Sequence, residues 1–186
     1  PDFARLGFDH PIYVLYSSGT TGKPKCIVHR AGGVLLKHWS EHLLHCDLRT
    51  GDRLMYFTTT GWMMWNWLVA GLACGVSLVL HDGSPFFPGP SRLFDIADEL
   101  SPRLFGVSAK YIEAAMKEGL RPVDTHRLAS IETVTSTGSP LAPEGFDWVY
   151  ENVKSEVHLA SFSGGTDICG CFVIGDPTGP VHRGEI

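Results

Sequence analysis

Hydrophobic and polar positions along this chain switch repeatedly between a period near two and a period near 3.6. Residues 13–16 and 26–28 are short β-branched and aromatic runs that predict strands. Val34–Leu48 carries helical spacing. Val34, Leu35, His38, Leu43 and Leu44 are its inward candidates, and Lys37 and Glu41 form an exposed pair one turn apart. After the turn Thr50-Gly51-Asp52 the pattern predicts a strand at Leu54–Phe57, a helix at Trp65–Ala73 and an apolar strand at Val76–Leu80. A Gly/Pro-rich loop, Asp82–Pro90, leads into a helix over Ser91–Leu100 with Ser91 as its cap. Leu104–Val107 predicts a strand, and Ser108 caps a helix over Ala109–Glu118. A strand at Ile131–Thr135 ends in the loop Ser136–Leu141, and a helix at Pro143–Val153 has Pro143 in its first turn. Last come a strand at Val157–Leu159, a loop at Ala160–Asp167 and a strand at Cys171–Ile174. Such alternation predicts an α/β fold, a largely parallel sheet flanked by helices.

Composition narrows the function classes. The chain has 186 residues, enough for one domain with a real core, and is 44% hydrophobic and 19% charged. Its net charge of −5, without a basic cluster, argues against a nucleic-acid partner. Cys26, Cys46, Cys74, Cys169 and Cys171 have no zinc-ligand spacing, and Cys169 and Cys171 read as a pair on one strand face. An odd cysteine count without a signal peptide favours a reducing, cytoplasmic setting. The most apolar stretch, Trp62–Leu80, is broken by Asn66, Gly71 and Gly75, which predicts a buried helix and strand with no membrane span. Both ends look cut: the chain begins at Pro1-Asp2 and stops within strand-like Gly184-Glu185-Ile186. Residues 1–186 therefore read as an internal fragment of a longer enzyme.

Three loops carry the candidate chemistry. Residues 16–25 read YSSGTTGKPK between two predicted strands. Hydroxyls, glycine amides and two ammonium groups in ten positions suit a phosphate, although a solvated turn with two surface lysines has the same composition. The P-loop pattern fails here, because Ser17 stands where a glycine is required and Pro24 where the magnesium-binding hydroxyl would be. The second loop, Ser136-Thr137-Gly138-Ser139-Pro140, is small enough to let a flat ring approach the backbone, and read alone it is an ordinary turn. The third is Ser163-Gly164-Gly165-Thr166-Asp167, whose bland reading is a turn with Asp167 as a cap. Trp62, Met63, Met64, Trp65 and Trp67, read alone, are core residues.

Tyr13–Lys25 matches every position of [ST]-[ST]-G-[ST]-[ST]-G-x-P-K. The chain thereby resembles the adenylate-forming enzymes: acyl-CoA synthetases, adenylation domains and luciferases. The other two loops follow in the family's order, so the resemblance covers nearly the whole chain and implies part of the large N-terminal domain. The small C-terminal domain, with the lysine that drives adenylation, is absent, so the isolated chain is not expected to make acyl-CoA. The resemblance implies ATP, Mg2+ and CoA, with a carboxylate activated as acyl-adenylate and passed to the thiol.

It also implies roles. Ser17, Ser18, Gly19, Thr20, Thr21, Gly22, Lys23 and Thr166 would contact phosphate, Lys23 and Thr166 with catalytic effect. Gly138, Ser139, Pro140, Ser161, Phe162, Ser163, Gly164 and Gly165 would form the adenine side, and Asp167 the metal side. Ser163 replaces the family's aromatic residue, which leaves Phe162 or bare backbone to seat the ring. Asp167 replaces a glutamate and shortens its reach by one methylene. Trp62, Met63, Thr137 and Gly164 would line the acyl pocket, with the Thr58–Trp67 segment also walling the CoA channel. Phe86 departs from an asparagine that helps bind CoA in acetate-specific relatives. TTTGWMMWNW, HDGSPFFPGP and SFSGGTDICG are closer to ligases for acetoacetate than to those for acetate. Acetate-specific relatives close the pocket with a tryptophan where this chain has Gly164. On that reading Gly164→Trp should exclude the longer acid, and Thr137 should meet its keto oxygen. Another short- or medium-chain acid, or a nucleotide-binding domain without turnover, remains open; an NTP hydrolase is disfavoured by the failed P-loop.

Overall fold

The computed structural model describes residues 2–17 and 22–186. Ser18, Gly19, Thr20 and Thr21 of the first loop lie outside the described residues. β1 (Pro11–Ser17) and β2 (Lys25–Arg30) form an antiparallel hairpin around that loop. α1 (Ala31–Ser40) leaves β2 without a break and widens into a π-turn over Glu41–His45. β3 (Arg53–Tyr56) leads to α2 (Met64–Ala70), and β4 (Ser77–Val79) to α3 (Arg92–Leu100). β5 (Leu104–Ser108), α4 (Ala109–Lys117) and a short α5 (Pro122–Thr125) come next. β6 (Thr133–Thr137), α6 (Pro143–Trp148), β7 (His158–Ser161), β8 (Ser163–Gly165) and β9 (Gly170–Val173) complete the order.

β4-β3-β5-β6-β7 make one sheet in that spatial order, every pair parallel. Alternation along each strand feeds two layers. Met55, Phe105, Val107, Val134 and Leu159 point into one, beneath residues of α3, α4 and α6. Leu54, Tyr56, Leu104 and Ala160 point into the other, against Met64, Trp67 and Leu68 of α2. The predicted parallel sheet flanked by helices is therefore present, and the first two strands stand apart from it as a hairpin. Among the described residues, no helix is long and apolar enough to cross a membrane.

Several local expectations need correction. Val34, His38, Glu41 and His42, spaced i, i+4, i+7 and i+8, are the buried face of α1 and its π-turn, while Leu35 and Leu44 are exposed. Glu41 is thus not half of an exposed pair: its side chain is wholly buried. Packing on α2 and β9 fixes that face, and three polar residues sit on it. Ser108 does cap α4, accepting from the Tyr111 amide at 3.2 Å. Ser91 makes no such bond, its hydroxyl donating instead to Asp95. Cys169 lies in the turn before β9, so it does not share a strand face with Cys171. All five cysteines are free. The third loop is itself a hairpin, β8 against β9, and Ser136 and Thr137 close β6 rather than opening a loop.

Candidate functional site

Parallel strands deliver their following loops to one edge of a sheet, and that edge holds the candidate site. A cavity of about 200 Å³ opens beyond the carboxyl ends of β6 and β7. Gly138, Ser139 and Pro140 form one wall, and Phe162 through Thr166 another. Trp62, Met63 and Met64 come in from the start of α2, with Thr137 and Cys171 at the back. Two loops separated by about 25 residues and an aromatic segment about 75 residues upstream thus meet at one hollow.

Gly138 turns the chain out of β6 with a φ of +91°, a conformation glycine adopts without strain. A side chain there would also stand 3.5 Å from the Trp62 ring. Thr137 is buried, and its hydroxyl donates to the Phe162 carbonyl at 2.9 Å, tying the second loop to the third. That bond uses its only hydrogen, so Thr137 can only accept, and the expectation that it donates to a keto oxygen does not hold in this arrangement. Phe162 lines the cavity but its ring is 2% exposed, packed edge-on to Trp67 at 6.0 Å.

Gly164 behaves differently from the sequence-based expectation. A Cβ built there falls 2.1 Å from the Gly170 carbonyl oxygen and 2.7 Å from Cys171 Cα. A side chain at 164 would start inside the backbone of β9 rather than in open cavity. Glycine is needed for the close approach of the hairpin.

Of the remaining predicted residues, the described ones (Ser17, Gly22, Lys23, Ser161 and Asp167) sit outside this cavity. Ser161 is buried in β7, Asp167 is exposed in the β8–β9 turn, and Lys23 is exposed beside Gly22 in the first loop. A second cavity of about 450 Å³, past β3 and β4, is lined by Thr58–Thr60, Trp65, His81 and Asp82. The Thr58–Trp67 segment therefore walls both hollows.

Behind the first cavity lies a polar cluster that the sequence reading missed. Glu41 accepts from the Trp67 indole at 2.8 Å and from the Cys171 amide at 2.9 Å, and pairs with Lys37 at 2.9 Å. His38 donates through Nε2 to the Cys169 carbonyl. His42 donates through Nδ1 to the His38 carbonyl at 2.6 Å and stacks on Trp67 at 4.1 Å. The signal was the His-x-x-Glu-His spacing on one helix face, which also suggests a metal site. Each ring spends a nitrogen on a carbonyl, however, and among the described residues no metal-ligating cluster forms.

Burial lowers the pKa of His38 and takes that of His42 down to about 4. An unfolded histidine titrates near 6.5. Between those values the unfolded chain binds a proton that the native state refuses. The stability contributed is complete above pH 6.5 and drains away as pH falls toward 4. For His42 alone it amounts to roughly 3 kcal/mol. Denaturant unfolding at pH 7 and pH 4.5 should register a loss of about 2–3 kcal/mol. His42→Asn keeps a donor without a titrating ring and should flatten that slope; an unchanged slope would assign the acid sensitivity elsewhere.

Residues 3–185 match the AMP-binding enzyme family. Over 184 residues the chain is 62% identical to the acetoacetyl-coenzyme A synthetase of Rhizobium meliloti (strain 1021), covering 99% of this chain and 28% of that protein. It is 50% identical over 185 residues to the acetoacetyl-CoA synthetase of Gallus gallus, covering 100% of this chain and 28% of the relative. Among solved structures it is similar to the acetoacetyl-CoA synthetase from Streptomyces lividans, with a TM-score of 0.93 and 49% identity, covering 100% of this chain and 29% of that one. The chain spans about 28% of the length of these curated relatives. With a family match across almost every residue and its small-residue loops gathered at one sheet edge, the chain belongs to the AMP-binding enzyme family.

Proposed function

We propose that this chain is part of the large N-terminal domain of a longer, cytoplasmic, AMP-forming ligase that activates acetoacetate with ATP and transfers it to CoA. One observation carries the reading: Gly138–Pro140, Ser163–Thr166 and the Trp62–Met63 segment converge on a single cavity. The 62% identity to an acetoacetyl-coenzyme A synthetase supports the choice of acid.

The reaction has two steps. The carboxylate oxygen attacks the α-phosphorus of ATP and pyrophosphate leaves, giving the acyl-adenylate. The CoA thiol then attacks the acyl carbon and AMP leaves. Charge gathers on phosphoryl oxygens in the first step, so catalysis there is chiefly positioning and electrostatics. The first loop, with Lys23, supplies amides, hydroxyls and an ammonium group to the phosphates, and Thr166 of the third loop contacts them too. Adenine lies along Gly138–Pro140 and the backbone of Ser163–Gly165, since the buried Phe162 ring is already packed on Trp67. Trp62, Met63 and Thr137 enclose the acyl chain, and the CoA channel follows the second cavity past Thr58–Thr60.

Magnesium fits this donor set. Mg2+ takes hard oxygens, commonly one or two carboxylates plus the substrate's phosphates, and Asp167 offers an exposed carboxylate next to Thr166. When bound, the ion neutralises phosphate charge.

Acid-dependent ATP–pyrophosphate exchange by the full-length protein tests the reading. A panel of short carboxylates should give the highest kcat/KM with acetoacetate. ATP consumption that ignores the acid would overturn the ligase, and a clear preference for another acid would overturn the substrate.

A further inference from the structure

The β8–β9 hairpin carries Gly164, Gly165 and Thr166, yet it is a separate two-stranded sheet with no ladder to the central five strands. Isolated two-stranded hairpins are marginal in water. Three glycines, Gly164, Gly165 and Gly170, also deny it side chains with which to pack. Cys171 joins the core layer beside Trp67, and contacts to the main chain supply further positioning.

Three side chains from residues 29–41, the segment that leads out of the first loop, take hold of its main chain. His29 on β2 donates through Nε2 to the Thr166 carbonyl at 2.7 Å. His38 donates to the Cys169 carbonyl, at the other end of the same turn. Glu41 accepts the Cys171 amide at 2.9 Å, and Cys171 is the partner of Gly164 in the hairpin register. The fit is close enough that a Cβ on Gly170 would come within 2.8 Å of Glu41 Oε1. Burying a carboxylate is costly and is weak evidence for stability alone. Here it fixes a backbone amide behind the cavity.

Resting on the ligase reading, we propose that Glu41, His38 and His29 are positioning residues for adenylation. They form a three-point clamp that ties Thr166 and the cavity wall to β2, α1 and the π-turn. None of them needs to touch substrate. The clamp grips the hairpin through its main chain, at the Thr166 and Cys169 carbonyls and the Cys171 amide.

The test uses the full-length enzyme and two readouts: amide hydrogen exchange over 163–171, and ATP–pyrophosphate exchange kinetics per folded molecule. His29→Ala and Glu41→Gln should each deprotect the hairpin amides and lower kcat/KM for ATP at least about 10-fold. His29→Gln, whose amide nitrogen can stand in for Nε2, should recover to within about 3-fold of wild type. Gly170→Ala, outside the cavity, should reproduce the loss by pushing against Glu41. His29 is only partly buried, so its variants remain informative if Glu41→Gln fails to fold. Wild-type kinetics in folded His29→Ala and Gly170→Ala, with or without changed amide protection, would overturn the clamp. Wild-type enzyme lacking acid-dependent exchange would instead overturn the ligase reading on which the clamp rests.

Discussion

Gly164→Ala is expected to depress activation of acetoacetate and acetate together, by about 10-fold or more in kcat/KM, leaving their ratio near that of wild type. A methyl group at 164 would meet the Gly170 carbonyl oxygen at 2.1 Å, and the obstacle is backbone that cannot rotate aside. Forced overpacking of this kind costs about 1–3 kcal/mol, and about 1.4 kcal/mol corresponds to tenfold in rate if spent on displacing the hairpin. Gly164 pairs with Cys171, so the displacement reaches the cavity wall directly. Gly164→Trp should behave as a more severe alanine and should not convert the enzyme to acetate. Kinetics on both acids decide the matter. A tryptophan variant that excludes acetoacetate while sparing acetate, with alanine silent, would restore the idea that the missing side chain creates the acyl pocket.

Lys23→Ala is expected to lower adenylation by roughly 10- to 1000-fold, about 1.4–4 kcal/mol, through loss of a charge-assisted contact to phosphate. Lys23 is exposed in the first loop. Exposed substitutions ordinarily change stability by no more than about 0.5 kcal/mol. Melting behaviour should therefore stay unchanged while exchange activity collapses. Unaltered activity at low ATP would reduce Lys23 to a surface lysine in a polar turn.

The central sheet was legible because β3 and β5 are short, mostly apolar runs and β6 carries β-branched residues, with helical spacing between them. Boundaries moved where hydrogen bonding rather than hydrophobicity ends an element, as at Ser136 and Thr137. α1 was legible as a helix and misread as a surface. Helical spacing rightly places Val34 and His38 inward, but hydrophobicity adds Leu35 and Leu44, whereas the buried face continues through Glu41 and His42. A buried polar face is visible only once its partners are known: the Trp67 indole 26 residues away, and main-chain groups about 130 residues away. The β8–β9 hairpin escaped for a related reason. Serine and two glycines have no strand propensity, and close backbone approach rather than side-chain preference makes them one. The cavity's two glycine-containing loops were found by motif; their linkage through Thr137 and Phe162 could not be, since a hydroxyl's partner is a tertiary fact.

The two layers on either side of the sheet divide the molecule's tolerance for change. Every cavity residue assigned a role comes from the carboxyl edge or from the layer containing Trp67, Phe162 and Cys171. The opposite layer, built on Phe94, Phe105, Ile112, Phe146 and Trp148, contributes none of them. Substitutions that refill that far layer can raise or lower thermal resilience with little effect on catalysis. Sequence drift between homologues, and efforts to harden the enzyme for use, therefore have a protected reservoir beneath α3, α4 and α6. On the proposed ligase reading, re-tuning the accepted acid has to be done on the other side.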